Sequence, residues 1–162
     1  MSISKRLLVV TQLTICFFLC NTNILWGNSV AKIHTEFLTE YDFLRIPEIF
    51  SGKEFTGSRV IVRSSHVRSG LYFSIPLGKK SSAIRKGKRV ELQLIDTTSL
   101  FSRNFSFSLP EVSYNQKDLF IGITGADWNQ SAMKLVAWKV EIFDSSKEPL
   151  FSSQSALWGH SK

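Results

Sequence analysis

Six cations and no acid crowd the stretch from Gly78 to Arg89: Lys79, Lys80, Arg85, Lys86, Lys88 and Arg89. Such a cluster raises a local positive potential, and the chemistry it suits is capture of an anion: an anionic glycan, a lipid headgroup or nucleic acid. The plainer reading is a solvated loop that keeps neighbouring strand edges apart. A second conspicuous segment is Thr124-Gly125-Ala126-Asp127-Trp128. Gly125 suits a tight turn and Asp127 can bond back to the chain. Trp128 either plugs one end of a core or faces solvent, where its ring could stack on a sugar. The candidate ligand-binding residues are therefore Lys79, Lys80, Arg85, Lys86, Lys88, Arg89, Asp127 and Trp128.

Residues suited to covalent or metal chemistry do not assemble in the sequence. His34, His66 and His160 lie in three unrelated contexts, without the spacing that zinc sites use. The chain carries no G-x-S-x-G elbow, no phosphate loop and no G-x-G-x-x-G fingerprint. A carbohydrate-active hydrolase would need two carboxylates across a cleft. The candidates Glu91, Glu111, Asp118, Asp127 and Glu141 fall on expected strand faces or loops, and Glu91 and Glu141 alternate with apolar residues as solvated strand charges do. No catalytic residue, metal or cofactor is expected. Asn104-Phe105-Ser106 and Asn129-Gln130-Ser131 fit the N-glycosylation triplet, which matters only in a eukaryotic source.

The elements that must carry these residues begin after a leader. Residues 1–31 read as a signal peptide: Lys5 and Arg6, then the apolar run Leu7 to Cys20, then a polar stretch in which Ser29 and Ala31 suggest cleavage after Ala31. The alternative is an uncleaved inner-membrane anchor over residues 7–26, for which the apolar run itself is short of the about 20 residues a span needs. Both cysteines, Cys16 and Cys20, fall in the leader, so residues 32–162 have no disulfide and must be held by their core. The expected location is extracytoplasmic, periplasmic or secreted. Net charge is +7 for the chain and +5 without the leader, where 18 basic residues face 13 acidic ones. Export and the lack of aromatics among the cations disfavour nucleic acid as the partner.

Residues 32–56 form an arm with two readings. Phe37, Leu38, Tyr41, Phe43 and Leu44 recur at roughly helical spacing, with Pro47 expected to break any helix near Arg45 or Ile46. The other reading is a strand from Asp42 to Ile46. From Arg59 onward the period is two, and the alternation predicts seven strands at 59–63, 71–75, 89–96, 101–109, 118–123, 134–143 and 149–158. The expected fold is all-β: an antiparallel two-sheet sandwich of immunoglobulin-like type over residues 57–162, with an antiparallel barrel as the alternative. Trp138 and Trp158 are expected in the core.

The segments Gly52-Lys53-Glu54-Phe55-Thr56-Gly57, Arg59-Val60-Ile61-Val62-Arg63, Gly70-Leu71-Tyr72-Phe73, Ile121 to Trp128, Ala137-Trp138-Lys139 and Ser155-Ala156-Leu157-Trp158 resemble a group of small exported bacterial β-domain proteins. That resemblance implies a shared β domain and a bacterial, extracytoplasmic setting, and carries no functional residues across. The reading that follows is a non-enzymatic binding or accessory module of the envelope. A structural or assembly partner acting through a strand edge or the arm is the alternative, and a hydrolase comes last.

Overall fold

The computed structural model describes residues 32–78, 81–99 and 101–160, so the expected signal peptide of residues 1–31, Lys79 and Lys80 lie outside the described residues. Strands dominate and form two four-stranded sheets, neither closed into a barrel. The strands are β1 (His34–Leu38), β2 (Arg59–Arg63), β3 (Gly70–Pro76), β4 (Arg89–Asp96), β5 (Arg103–Ser108), β6 (Asp118–Thr124), β7 (Leu135–Phe143) and β8 (Phe151–Gln154). One sheet has the order β1-β3-β6-β2 and the other β5-β4-β7-β8. All neighbours run antiparallel except β2, which lies parallel to β6 with Val60 opposite Leu119. Three short α-helices lie among the described residues: α1 (Glu40–Phe43), α2 (Ile46–Ser51) and α3 (Ser82–Lys86).

Period-two patterning fills the space between the sheets. Val90, Leu92 and Leu94 of β4 are fully buried, as are Ile121 and Ile123 of β6, Phe73 and Ile75 of β3, and Val140 and Ile142 of β7. They join one hydrophobic cluster drawn from both sheets. Phe73 meets Trp138 across it edge to face, with ring centroids 5.8 Å apart. Burying a side chain of this size favours folding by about 1.5–3 kcal/mol, so this shared interior supplies the stability that disulfides would otherwise lend.

The arm departs from both expectations. Its first part is a strand, β1, which extends the sheet on the edge of β3, with Phe37 opposite Leu71. Asp42 to Ile46 is not a strand, because Asp42 accepts the Thr39 N–H and hydroxyl and starts α1 instead. Pro47 breaks nothing: it sits in the first turn of α2, where its missing N–H is not needed. The segment then crosses the outer face of the β1-β3-β6-β2 sheet. Phe43, 3% exposed, packs against Tyr72 and Phe120 in a second small cluster. This cover explains why β6 is apolar on both faces. It also explains Gly122, whose register partner is Tyr72: a Cβ there would lie 2.5 Å from the Tyr72 ring.

Three smaller differences have local causes. The expected polar loop from Gly78 to Lys88 contains α3, whose Ile84 is buried. The last strand is Phe151–Gln154, shorter than 149–158: its pairing with β7 ends at Gln154, the chain turns at 156–157, and Trp158 then begins a 3-10 turn to His160. Trp158 is half-buried there, as is Trp138, which packs on the core.

Candidate functional site

The candidate residues divide between the two ends of the sheets. The cationic connection lies at the end where β3 finishes and β4 begins. Within it, Arg85 serves the fold. Its guanidinium donates to the carbonyls of Leu77 and Gln116, each at 3.0 Å, and to that of Ser113. It also lies over the Tyr114 ring at 5.3 Å. These bonds tie α3 to the 113–116 turn, and a depression of about 180 Å³ lined by Leu77, Gly78, Ser82, Arg85 and Tyr114 opens beside them. Arg89 pairs with Glu91 at 3.1 Å and covers the Phe143 ring at 4.9 Å. Lys86 and Lys88 are exposed and join no ion pair among the described residues.

Asp127 and Trp128 sit elsewhere, after β6. The chain turns there through a 3-10 turn, Gly125–Asp127. The Asp127 carbonyl accepts from Arg103 at 2.8 Å. Trp128 is 5% exposed, joins the main core and donates its indole N–H to Gln130 at 3.0 Å. Its ring closes that end of the core.

Glu91 and Glu141 face each other across the β4–β7 ladder. Each carboxylate holds its own cation, Arg89 for Glu91 and Lys139 for Glu141, the latter at 2.9 Å. Beside them, between β4 and β5, lies an open depression of about 240 Å³ lined by Glu91, Leu92, Gln93, Asn104, Phe105 and Ser106. Among the described residues no three His, Cys, Asp or Glu side chains gather where they could hold a metal ion. No described helix is long and apolar enough to cross a membrane.

The most unusual surface is one that the sequence pattern does not single out. On α2 the ordinary amphipathic arrangement is inverted. Glu48 turns inward and pairs with Arg68, while Ile46, Ile49 and Phe50, at positions i, i+3 and i+4, point outward with 72%, 67% and 85% exposure. Tyr41 on α1 is 84% exposed, and Leu44 and Phe55 are also exposed. Beneath this apolar surface runs a polar clasp. Arg63 donates to both Glu54 oxygens at 2.8 and 2.6 Å and to the Tyr72 hydroxyl at 2.7 Å, and its guanidinium covers the Phe43 ring at 4.8 Å. The Tyr72 hydroxyl donates in turn to the Arg68 carbonyl at 2.6 Å. The hydrogen bonds from Arg63 hold the Glu54 carboxyl below its ordinary pKa against the opposing effect of burial. Burial pushes the Tyr72 phenol up despite Arg63. The second Glu48 oxygen is buried without a hydrogen-bond partner. The apolar spacing of 46, 49 and 50 is visible in the sequence, but spacing identifies a stripe and does not say whether it faces the core or water.

Fold and surface together define the class: an all-β, two-sheet, sandwich-like domain with an N-terminal arm clasped across one sheet. Comparison with known proteins finds no matching family model, no matching curated protein and no matching solved structure.

Proposed function

We propose that this chain is an exported, non-enzymatic accessory module of the bacterial envelope that works by contact, with the arm as its contact surface. The observation that carries this reading is the outward apolar face of α2. Monomeric domains rarely leave adjoining large apolar side chains in water, and those that do use them for recognition. Here they are presented on a segment fixed by ion pairs, so they are not a frayed end.

An immunoglobulin-like topology is part of the proposal. The order β5-β4-β7-β8 corresponds to C′-C-F-G of that fold, and β1-β3-β6 to A-B-E. The departure is β2, which takes the place beside E and runs parallel to it.

Site-specific photo-crosslinking in the producing cell tests the contact reading. A crosslinking aromatic residue at position 50 gives defined adducts in the envelope fraction, and the same residue at position 93, on the outer face of the other sheet, gives none. Equal, diffuse labelling from both positions would refute the reading.

A second reading rests on Lys86 and Lys88, which are exposed and join no ion pair among the described residues, and on Lys79 and Lys80, which stand in the same stretch of the sequence. They offer an anionic glycan or lipid headgroup a positive edge, with Arg85 and Arg89 shaping it, and Asp127 and Trp128 stand apart from it. Charge reversal at Lys79, Lys80 and Lys86 abolishes retention on an anionic-glycan column if this reading holds, and leaves it unchanged if the edge is only a solvated loop.

A further inference from the structure

We infer that the occupant of the arm's apolar face is a second copy of the same chain, docked arm to arm about a twofold axis. The inference rests on the arm being a contact surface and names the partner.

Charge argues for it first. Residues 32–162 carry 18 basic and 13 acidic residues, so two copies repel unless they meet through a locally neutral patch. The arm is such a patch. Glu40, Asp42, Glu48 and Glu54 are matched there by Arg45, Lys53 and the two clasp arginines, Arg63 and Arg68. A surface built for an anionic bilayer would instead be rimmed by cations in excess.

The order of charges argues for it next. With Glu48 and Glu54 held by Arg68 and Arg63, the remaining charges of residues 40–54 are the acids Glu40 and Asp42 first and the bases Arg45 and Lys53 after them, with Leu44, Ile46, Ile49 and Phe50 lying between Asp42 and Lys53. A twofold axis through the middle pairs two such segments head to tail. The acidic start of one then meets the basic end of the other at both edges of a shared apolar centre. Self-complementarity of this kind is what an isologous interface requires.

Size and rigidity are sufficient. Tyr41 and Phe50, 84% and 85% exposed, together offer roughly 250–400 Å². Ile46, Ile49 and the half-exposed Leu44 and Phe55 enlarge this toward the roughly 800 Å² per partner of a standard interface. The clasp holds the segment in place, and the Glu40 N–H donates to Ser69 at 3.0 Å, so little ordering remains to be done on association.

The test is sedimentation velocity and light scattering on the protein as purified from its host, over a concentration series. The wild type sediments as a dimer. Ile49→Ser with Phe50→Ser weakens association about a hundredfold or more. Glu40→Lys and Lys53→Glu, both at exposed positions, each weaken it roughly threefold to tenfold, and an equal mixture of the two recovers wild-type association or better. That rescue distinguishes head-to-tail pairing of arms from loss of fold, which circular dichroism of each variant checks separately. A wild type that stays monomeric throughout overturns the inference, as does a mixture that fails to associate. Adducts from position 50 to a different protein, with a monomeric wild type, leave the contact reading standing and this inference refuted. Cosedimentation of monomers with phosphatidylglycerol vesicles that depends on Phe50 does the same in favour of a bilayer.

Discussion

Asp96 shows how one residue can carry a pH dependence. Its side chain is fully buried at the end of β4, where burial disfavours its charge. Hydrogen bonds from the Thr98 hydroxyl and N–H, and the Arg103 guanidinium at 3.3 Å, more than offset that, and hold its carboxyl below the ordinary value. A group with a lowered folded pKa stabilises fully above its unfolded value, about 3.9, and the contribution is lost as pH falls through the folded value. Urea unfolding should therefore show stability falling below about pH 4. Asp96→Asn should cost about 2 kcal/mol at neutral pH and flatten that acid limb. Glycine supplies a second test at this scale. A Cβ at Gly70 would lie 2.2 Å from the Ile123 carbonyl oxygen, which is ladder backbone and cannot yield, whereas a Cβ at Gly78 meets nothing within 4 Å. Gly70→Ala should cost about 3 kcal/mol or prevent folding, and Gly78→Ala should change stability in urea unfolding by less than about 0.5 kcal/mol.

Among the elements, the arm and the turn after β6 behave differently because they are held differently. The arm is clasped by two arginine–glutamate pairs and one buried phenylalanine, so it should open without the sheets unfolding. Glu48→Gln with Glu54→Gln should speed amide exchange of residues 40–55 and leave β4 unchanged. Acid acts in the same direction. With the Glu54 pKa lowered by Arg63, its share of the clasp is complete above the ordinary carboxylate value of about 4.3 and is lost as pH drops below it. Exchange that rises equally in the arm and β4 would show that the two are one cooperative unit. Trp128 belongs to the main core instead, and Trp128→Ala should lower global stability by about 3–5 kcal/mol on thermal or urea unfolding.

At the scale of the whole molecule, the chain passes repeatedly between the sheets before either is complete. The pairing of Arg59 with Asp118 closes nearly half of the described span, and β3 lies between β1 near the start of that span and β6, which comes after both β4 and β5. Closing such distant pairs loses chain entropy before contacts compensate for it, so refolding should take milliseconds to seconds. Since one cluster draws on both sheets, near-ultraviolet and far-ultraviolet signals should be lost together in a single transition. Separate transitions would mean that the sheets are independently stable.

Sequence alone determined the strands from Arg59 onward, because a period of two admits one geometry when one face is buried: Val90, Leu92 and Leu94 face inward and Glu91 and Gln93 outward, as their order dictates. It did not reveal β1, where His34 to Leu38 is too mixed to alternate and is held as a strand by the β3 edge it joins. Nor did it reveal that Pro47 starts a helix, since the same fixed φ serves a first turn as readily as a break. The outward apolar face of α2 was least legible. Ile46, Ile49 and Phe50 have the spacing of a buried stripe, and they face water only because Phe43, Glu48 and Glu54 had already taken the sites on the sheet. Which face of a segment is buried depends on what the rest of the chain places opposite it, and that information resides in the tertiary structure.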